Sequence, residues 1–364
     1  MPRLSVYFNR TYATNAQVIG MLRANQDGRE LRVVGTHVDP DSPVLAACDL
    51  ALPEPELAGQ DYVDWALEFT ARHDIDVFIP RLELAAIAGQ RHRFAAQGVA
   101  VLAPPAEAIN LFADKAATYA DALDRGLAVP PYRVVRDGQS LLAGYAEIRE
   151  LTGTGCLKPV TGVGADGFRI LTDQPLNLAD VLGPLPQTVR VQAAAEAIDA
   201  AIAAGSTVPP LMVLPFLTGP EISVDVLGGI EGSVFAAIGR AKHGRRRVIV
   251  DDPGARAVAE TLTTAHRLAY LSNVQVRYWQ GPADAWPLPY LLEVNTRISG
   301  GLFQTSLAGV NLPWSAVRLA LGLDPQVGEV SYGISFDTPT TLAVVHGGAD
   351  AANSAKHTKV LGAG

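Results

Sequence analysis

Residues 156–172 read "CLKPVTGVGADGFRILT", and the fold turns on the kind of element that leaves the glycines. "GVGADG" at 162–167 matches G-x-G-x-x-G, which marks a dinucleotide-binding turn when a strand enters it and a helix leaves it. A strand-like run does enter, but "FRILT" leaves as a second strand. Glycines between two strands make a flap instead, with Gly162, Gly164 and Gly167 freeing backbone N–H groups to fold over phosphates. Lys158, four residues upstream of Gly162, would add positive charge there. A plain Gly-rich hairpin fits these residues equally well, so the neighbouring segments have to discriminate.

Upstream, the runs "LSVYF", "LRVVGTHVD", "DVFIP" and "VAVLAPP" bracket helix-like stretches at 61–73 and 84–97. That alternation predicts a parallel sheet with crossover helices over residues 1–108. Ligands of such sheets collect at the carboxyl ends of strands, where Arg81 and Glu83 follow "DVFIP"; surface residues capping a helix would read the same way. A second unit, 109–213, opens with a single helix over 112–126, closed by Gly126 and stopped by Pro130 and Pro131. The pattern beyond is strand-rich over 214–349, with one helix at 255–271, and the small, polar tail at 350–364 reads as poorly ordered.

The decisive downstream stretch is "LLEVNTRISGG" at 291–301. Alternate side chains of a strand share a face, so Glu293, Asn295 and Arg297 would project together while Leu291, Leu292, Val294 and Ile298 pack the strand. A strand end turned to solvent is the simpler reading of that stretch alone. The stretch "LMVLPFLTGPEISVDVLG" at 211–228 is the second witness: a strand, a Gly-Pro turn and Glu221 just beyond.

Composition removes several classes. The chain has 364 residues, 48% of them apolar, enough for two or three packed units. Its formal net charge of -8, with no basic stripe beyond "RRR" at 245–247, does not suit a nucleic-acid partner. Cys48 and Cys156 have no metal-ligand spacing, and the histidines show no H-E-x-x-H. With no signal-like start and no apolar run of about 18 residues, the expectation is a cytoplasmic protein without a membrane span.

Taken in order, "FADK", "KPVTGVGADG", "LPFLTGPEISVDVL", "NVQVR" and "LLEVNTRISGG" resemble the ATP-grasp superfamily, and within it the carbamoyl-phosphate-synthase-like carboxylate-amine ligases. The resemblance covers nearly the whole chain. It implies a multi-domain α/β and α+β fold, with a Rossmann-like N-terminal domain ahead of the ATP-grasp subdomains. It further implies ATP as substrate, with adenine on the backbone of Leu214, Pro215, Phe216 and Leu217, ribose on Glu221, and phosphates on Lys115, Lys158 and the 161–167 loop. Arg240 and Lys242 fall where relatives carry basic residues near the phosphates. Gln275, Glu293 and Asn295 would hold Mg2+, or Mn2+ in its place, and Arg297 would stabilise the phosphoryl group in flight. Ser299, Gly300 and Gly301 would offer N–H groups to an anion.

Two positions depart from the pattern. Leu214 stands where many members carry a glutamate, which points to relaxed purine selectivity, and Gln275 replaces a carboxylate of other branches. The activity implied is ligation of a carboxylate to an amine through an acyl phosphate. Alternatives are a carboxylase activating bicarbonate and a silent nucleotide-binding regulator. Small-molecule carboxylate and amine partners are expected, and a homodimer is the default oligomer.

Overall fold

The computed structural model describes residues 3–10, 15–162, 166–182 and 188–337; Gly164 and the tail at 350–364 lie outside these. Three sheets organise the described chain. The first contains β1 (Leu4–Phe8), β2 (Leu31–His37), β3 (Leu50–Pro53), β4 (Val77–Ile79) and β5 (Ala100–Val101) in the order β3-β2-β1-β4-β5. All its pairings are parallel. Tyr7 and Phe78 on its strands are fully buried, as expected for strands covered on both faces, and Phe94 of the helix Arg91–Ala96 is buried with them. The order reverses between β1 and β4, so the crevice beyond their carboxyl ends is the fold's natural ligand position.

The second sheet joins β6 (Arg133–Val135), β7 (Gly155–Pro159), β8 (Arg169–Thr172), β9 (Thr188–Arg190) and β10 (Leu211–Pro215) in the order β6-β10-β7-β8-β9. β7 and β8 are antiparallel neighbours on either side of the glycine run, so that run joins two strands and opens no helix. The third sheet is antiparallel: β11 (Glu221–Gly228), β12 (Val234–His243), β13 (Arg246–Val250), β14 (Tyr270–Trp279), β15 (Leu288–Asn295) and β16 (Ser335–Asp337), ordered β15-β14-β11-β12-β13-β16. Its apolar face, with Val224, Val226 and Val274, packs on Val258, Ala259 and Leu262 of the helix Pro253–His266.

A continuous core ties the first and third sheets together. Val18, Ile19 and Leu22 of the helix Asn15–Arg23 share a cluster with Trp314 and Val317 of the helix Leu312–Ala320 and with Leu227 and Ile238 of the third sheet. Trp314 Nε1 donates to Asp27 Oδ2 at 2.9 Å, and Arg318 pairs with the same carboxylate.

Three local expectations need correction. The helix expected over 112–126 is two, Ala106–Ala113 and Lys115–Asp124, because Asp114 caps the second by accepting from the N–H groups of Ala116 and Ala117. The stretch 84–97 also divides, into Leu84–Gly89 and Arg91–Ala96. The helix expected to reach residue 271 stops at His266, where Arg267 adopts a left-handed conformation, and Tyr270 already belongs to β14. Among the described residues no helix is long and apolar enough to cross a membrane.

Candidate active site

Register explains how the third sheet builds a polar face. Directly paired residues point the same way, and Glu293, Gln275, Ser223 and Arg240 are partners across β15, β14, β11 and β12. One row away run Asn295, Asn273 and Asp225. On the other side run Arg277, Glu221, Lys242 and Arg247. Every polar residue singled out on these strands therefore shares one face, opposite the helix Pro253–His266.

Beside the end of β15 lies a cavity of ≈ 210 Å³ that Arg81, Lys115, Gly162, Glu293, Asn295 and Arg297 help to line. Lys115 reaches it from the start of its helix, and its Nζ donates to Gly162 O at 3.0 Å. Its backbone N–H also bonds Val160 O at 3.0 Å, which pins the entry to the flap. Arg81 enters from the loop after β4 and donates through Nη1 to Ile298 O at 2.7 Å, beside Arg297. Burial holds the Lys115 ammonium below its ordinary pKa; nearby Lys158 adds to the shift and Glu293 opposes it.

Lys158 on β7 is half-buried, and desolvation lowers its pKa as well, against the pull of Cys156 and Glu293. Its Nζ donates to Tyr119 Oη at 3.2 Å and sits 5.3 Å from the centre of the same ring. Tyr119 Oη in turn donates to Leu292 O at 3.0 Å. One tyrosine thus fixes a lysine of the second sheet against the strand that carries Glu293. Tyr119→Phe keeps the ring and removes both bonds. It is expected to raise the KM for ATP about tenfold, the value of a hydrogen bond to a charged group, in steady-state assays of ADP release.

Three oxygen donors lie close on the polar face. Asn295 Nδ2 donates to Glu293 Oε1 at 2.9 Å, and Gln275 Nε2 donates to Asn273 Oδ1 at 3.3 Å. Both amide nitrogens are thereby engaged, which leaves amide oxygens and one carboxylate for a cation. That hard, low-charge set fits Mg2+, which keeps sites for water and phosphate. No group of three or more His, Cys, Asp or Glu suited to a metal occurs among the described residues.

Other expected residues are held by the protein itself. Glu221 pairs with Arg277 and lies 3.9 Å from Lys242. Arg277 also donates to Leu217 O at 2.8 Å, joining the carboxylate to the 214–217 segment. Leu214 is buried opposite Cys156 in the β10–β7 pairing, Pro215 O accepts from Cys156 Sγ at 3.5 Å, and Phe216 lies 6.4 Å from Phe168. Burial pushes the Cys156 thiol up to about 12. Glu83 accepts from Gly59 N at 2.9 Å and does not line the cavity. Gly167 has a positive φ and packs against Pro159.

Arg240 is buried on Asp225, at 2.7 Å from Nε to Oδ2, and reaches Gln304 and Ser299 at 3.1 and 3.4 Å. Ser299 and Asn273 also donate to Asp225. A Cβ on Gly301 would stand 2.5 Å from Arg240 Nη1, so glycine there lets the loop close over the guanidinium; Gly300 is exposed. Asp225→Ala is expected to cost about 3–5 kcal/mol in urea unfolding, because it strands a buried guanidinium. Sequence patterns alone do not single out Tyr119, Asp225 and Arg277. Tyr119 sits four residues after Lys115 on one helix and Arg277 two after Gln275 on one strand, spacings that place each pair on a common face.

A family model described as "ATP-grasp in the biosynthetic pathway with Ter operon" matches residues 207–341. No curated protein matches the chain. Among solved structures, biotin carboxylase from Campylobacter jejuni aligns over 87% of this chain and 71% of its own, with 17% identity and a TM-score of 0.60. An L-amino acid ligase from Bacillus licheniformis aligns over 90% and 77%, with 14% identity and a TM-score of 0.59. N5-carboxyaminoimidazole ribonucleotide synthetase from Thermus thermophilus aligns over 91% and 81%, with 15% identity and a TM-score of 0.59.

Proposed function

We propose that this chain, whose fold is that of the ATP-grasp superfamily, activates a carboxylate with ATP and transfers the acyl group to an amine. The observation that carries the proposal is the convergence of Lys115, Gly162, Glu293, Asn295 and Arg297 on one cavity beside Lys158. A carboxylate oxygen attacks the γ-phosphorus, the β,γ-bridging P–O bond breaks, and ADP leaves with the bonding pair. The amine nitrogen then attacks the acyl carbon of the resulting acyl phosphate; phosphate departs with the C–O pair and the nitrogen loses a proton.

The protein supplies no covalent nucleophile in this scheme. Lys115 and Lys158 neutralise the phosphates, and their buried setting strengthens each contact by keeping water away. Glu293, Asn295 and Gln275 would hold Mg2+, which shields the phosphate charge from the incoming anion. Arg297 would present a planar fork to the phosphoryl oxygens, and Arg81, which lines the same cavity, would meet the carboxylate. The 214–217 backbone and Glu221 would take adenine and ribose.

Hydroxylamine tests the chemistry directly. Enzyme, MgATP and the correct acid, without the amine, should yield an acyl hydroxamate together with ADP, since hydroxylamine intercepts a mixed anhydride. ATP binding without hydroxamate or ADP across a broad panel of acids would reduce the protein to a nucleotide binder.

A further inference from the structure

Resting on the ligase reading and on the role it gives Arg297, we propose that Ser299 is a positioning residue, through which the buried Asp225–Arg240 pair holds the peptide that aims Arg297. β15 ends at Asn295, which is paired with Asn273. Glu293 and Asn295 are therefore placed by the sheet itself, whereas Arg297 lies beyond the last paired residue. A long side chain past a strand end has to be held by other contacts if it is to meet a phosphoryl group already ordered.

Two such contacts meet on one carbonyl. Ile298 O accepts from Arg297 Nη1 at 3.4 Å and from Arg81 Nη1 at 2.7 Å, so one oxygen ties Arg297 to the loop after β4. The peptide that carries this oxygen is planar, and its direction is set by the residues at its two ends. On one side Ile298 is buried in the core shared by the first and third sheets. On the other, the Ser299 hydroxyl donates to Asp225 Oδ1 at 2.9 Å and accepts from Arg240 Nη2 at 3.4 Å. Asp225 is fully buried and is itself held by Arg240 and Asn273. The hydroxyl proton is thus committed to that carboxylate, and Ser299 does not line the cavity. Its side chain serves the loop that carries Arg297.

Aluminium fluoride beside MgADP stands in for the phosphoryl group in flight, so the test needs no acid. Titration calorimetry on the full chain measures MgADP affinity with and without the fluoride. In the wild type the fluoride should tighten MgADP about 10²-fold, and Arg297→Ala should abolish that gain. Ser299→Ala should lose about tenfold of it, while Ser299→Thr, which keeps the hydroxyl, should retain it. Affinity for MgADP alone should be the same in all four proteins. In the Arg297→Ala background, Ser299→Ala should cost nothing further, because it acts through that guanidinium. A full gain in Ser299→Ala, or a further loss in the double variant, would overturn the inference and leave the ligase reading standing. So would an equal loss with MgADP alone, which would report a damaged fold. A gain that survives in Arg297→Ala would remove the residue through which Ser299 is said to act. No gain in the wild type would overturn the phosphoryl-transfer reading and this inference with it.

Discussion

Glu293→Gln should leave the protein folded and lower ATP turnover about 10³-fold, the scale of losing the one anionic ligand of a catalytic cation. The substitution keeps the shape of the side chain and an acceptor for Asn295 Nδ2, now 2.9 Å from Oε1, so the local hydrogen bond survives. Only the charge is lost. Circular dichroism should be unchanged, and the magnesium concentration for half-maximal ADP release should rise. Turnover near the wild-type value with an unaltered magnesium requirement would remove Glu293 from the cation site.

Arg297→Ala separates binding from chemistry. A guanidinium that meets the phosphoryl group chiefly in the transition state contributes about 10³-fold or more to kcat. Hydroxamate formation should fall by that amount while ATP still binds, because Lys115, Lys158 and the 214–217 segment remain intact. Titration of nucleotide alongside the hydroxylamine assay reads both quantities. Undiminished trapping in the variant would spare the ligase reading but strip Arg297 of this role. A parallel loss of nucleotide affinity would show that Arg297 holds ground-state phosphates as well.

Much of the site could be read from local patterns. Period-two alternation is enough to put Glu293 and Asn295 on one strand face, and β15 presents both to the cavity together with Arg297 just beyond its end. Extended runs on both sides of "GVGADG" predict a flap between strands, and β7 and β8 flank it. Helix boundaries were harder. Asp114 splits one apolar-periodic stretch in two by capping, and a side-chain oxygen competing for two N–H groups leaves that periodicity undisturbed.

Some distinctions required contacts between residues far apart in the chain. Glu83 and Arg81 are near neighbours in sequence, yet Arg81 lines the cavity while Glu83 is spent on Gly59, because the left-handed turn at Glu83 sends its side chain toward the helix Gly59–Arg72. The family resemblance puts Arg240 among basic residues near phosphate. Its burial on Asp225 follows from the β11–β12 register, which sets the two strands side by side.

The sequence alone determined the chemical inventory of this protein and its order along the chain: two lysines, a glycine run between two strands, a strand carrying a carboxylate and an amide with a guanidinium just past its end, and a parallel sheet ahead of them. Local periodicity and turn chemistry encode these, since both act over a few residues. Only the tertiary structure decided which charges meet the cavity, which are neutralised elsewhere, and that Tyr119 links Lys158 to the strand of Glu293. Those outcomes depend on packing between segments separated in the chain, as in Tyr119 and Leu292 at 173 residues, and on strand register, where a shift of one residue would turn every polar side chain to the opposite face.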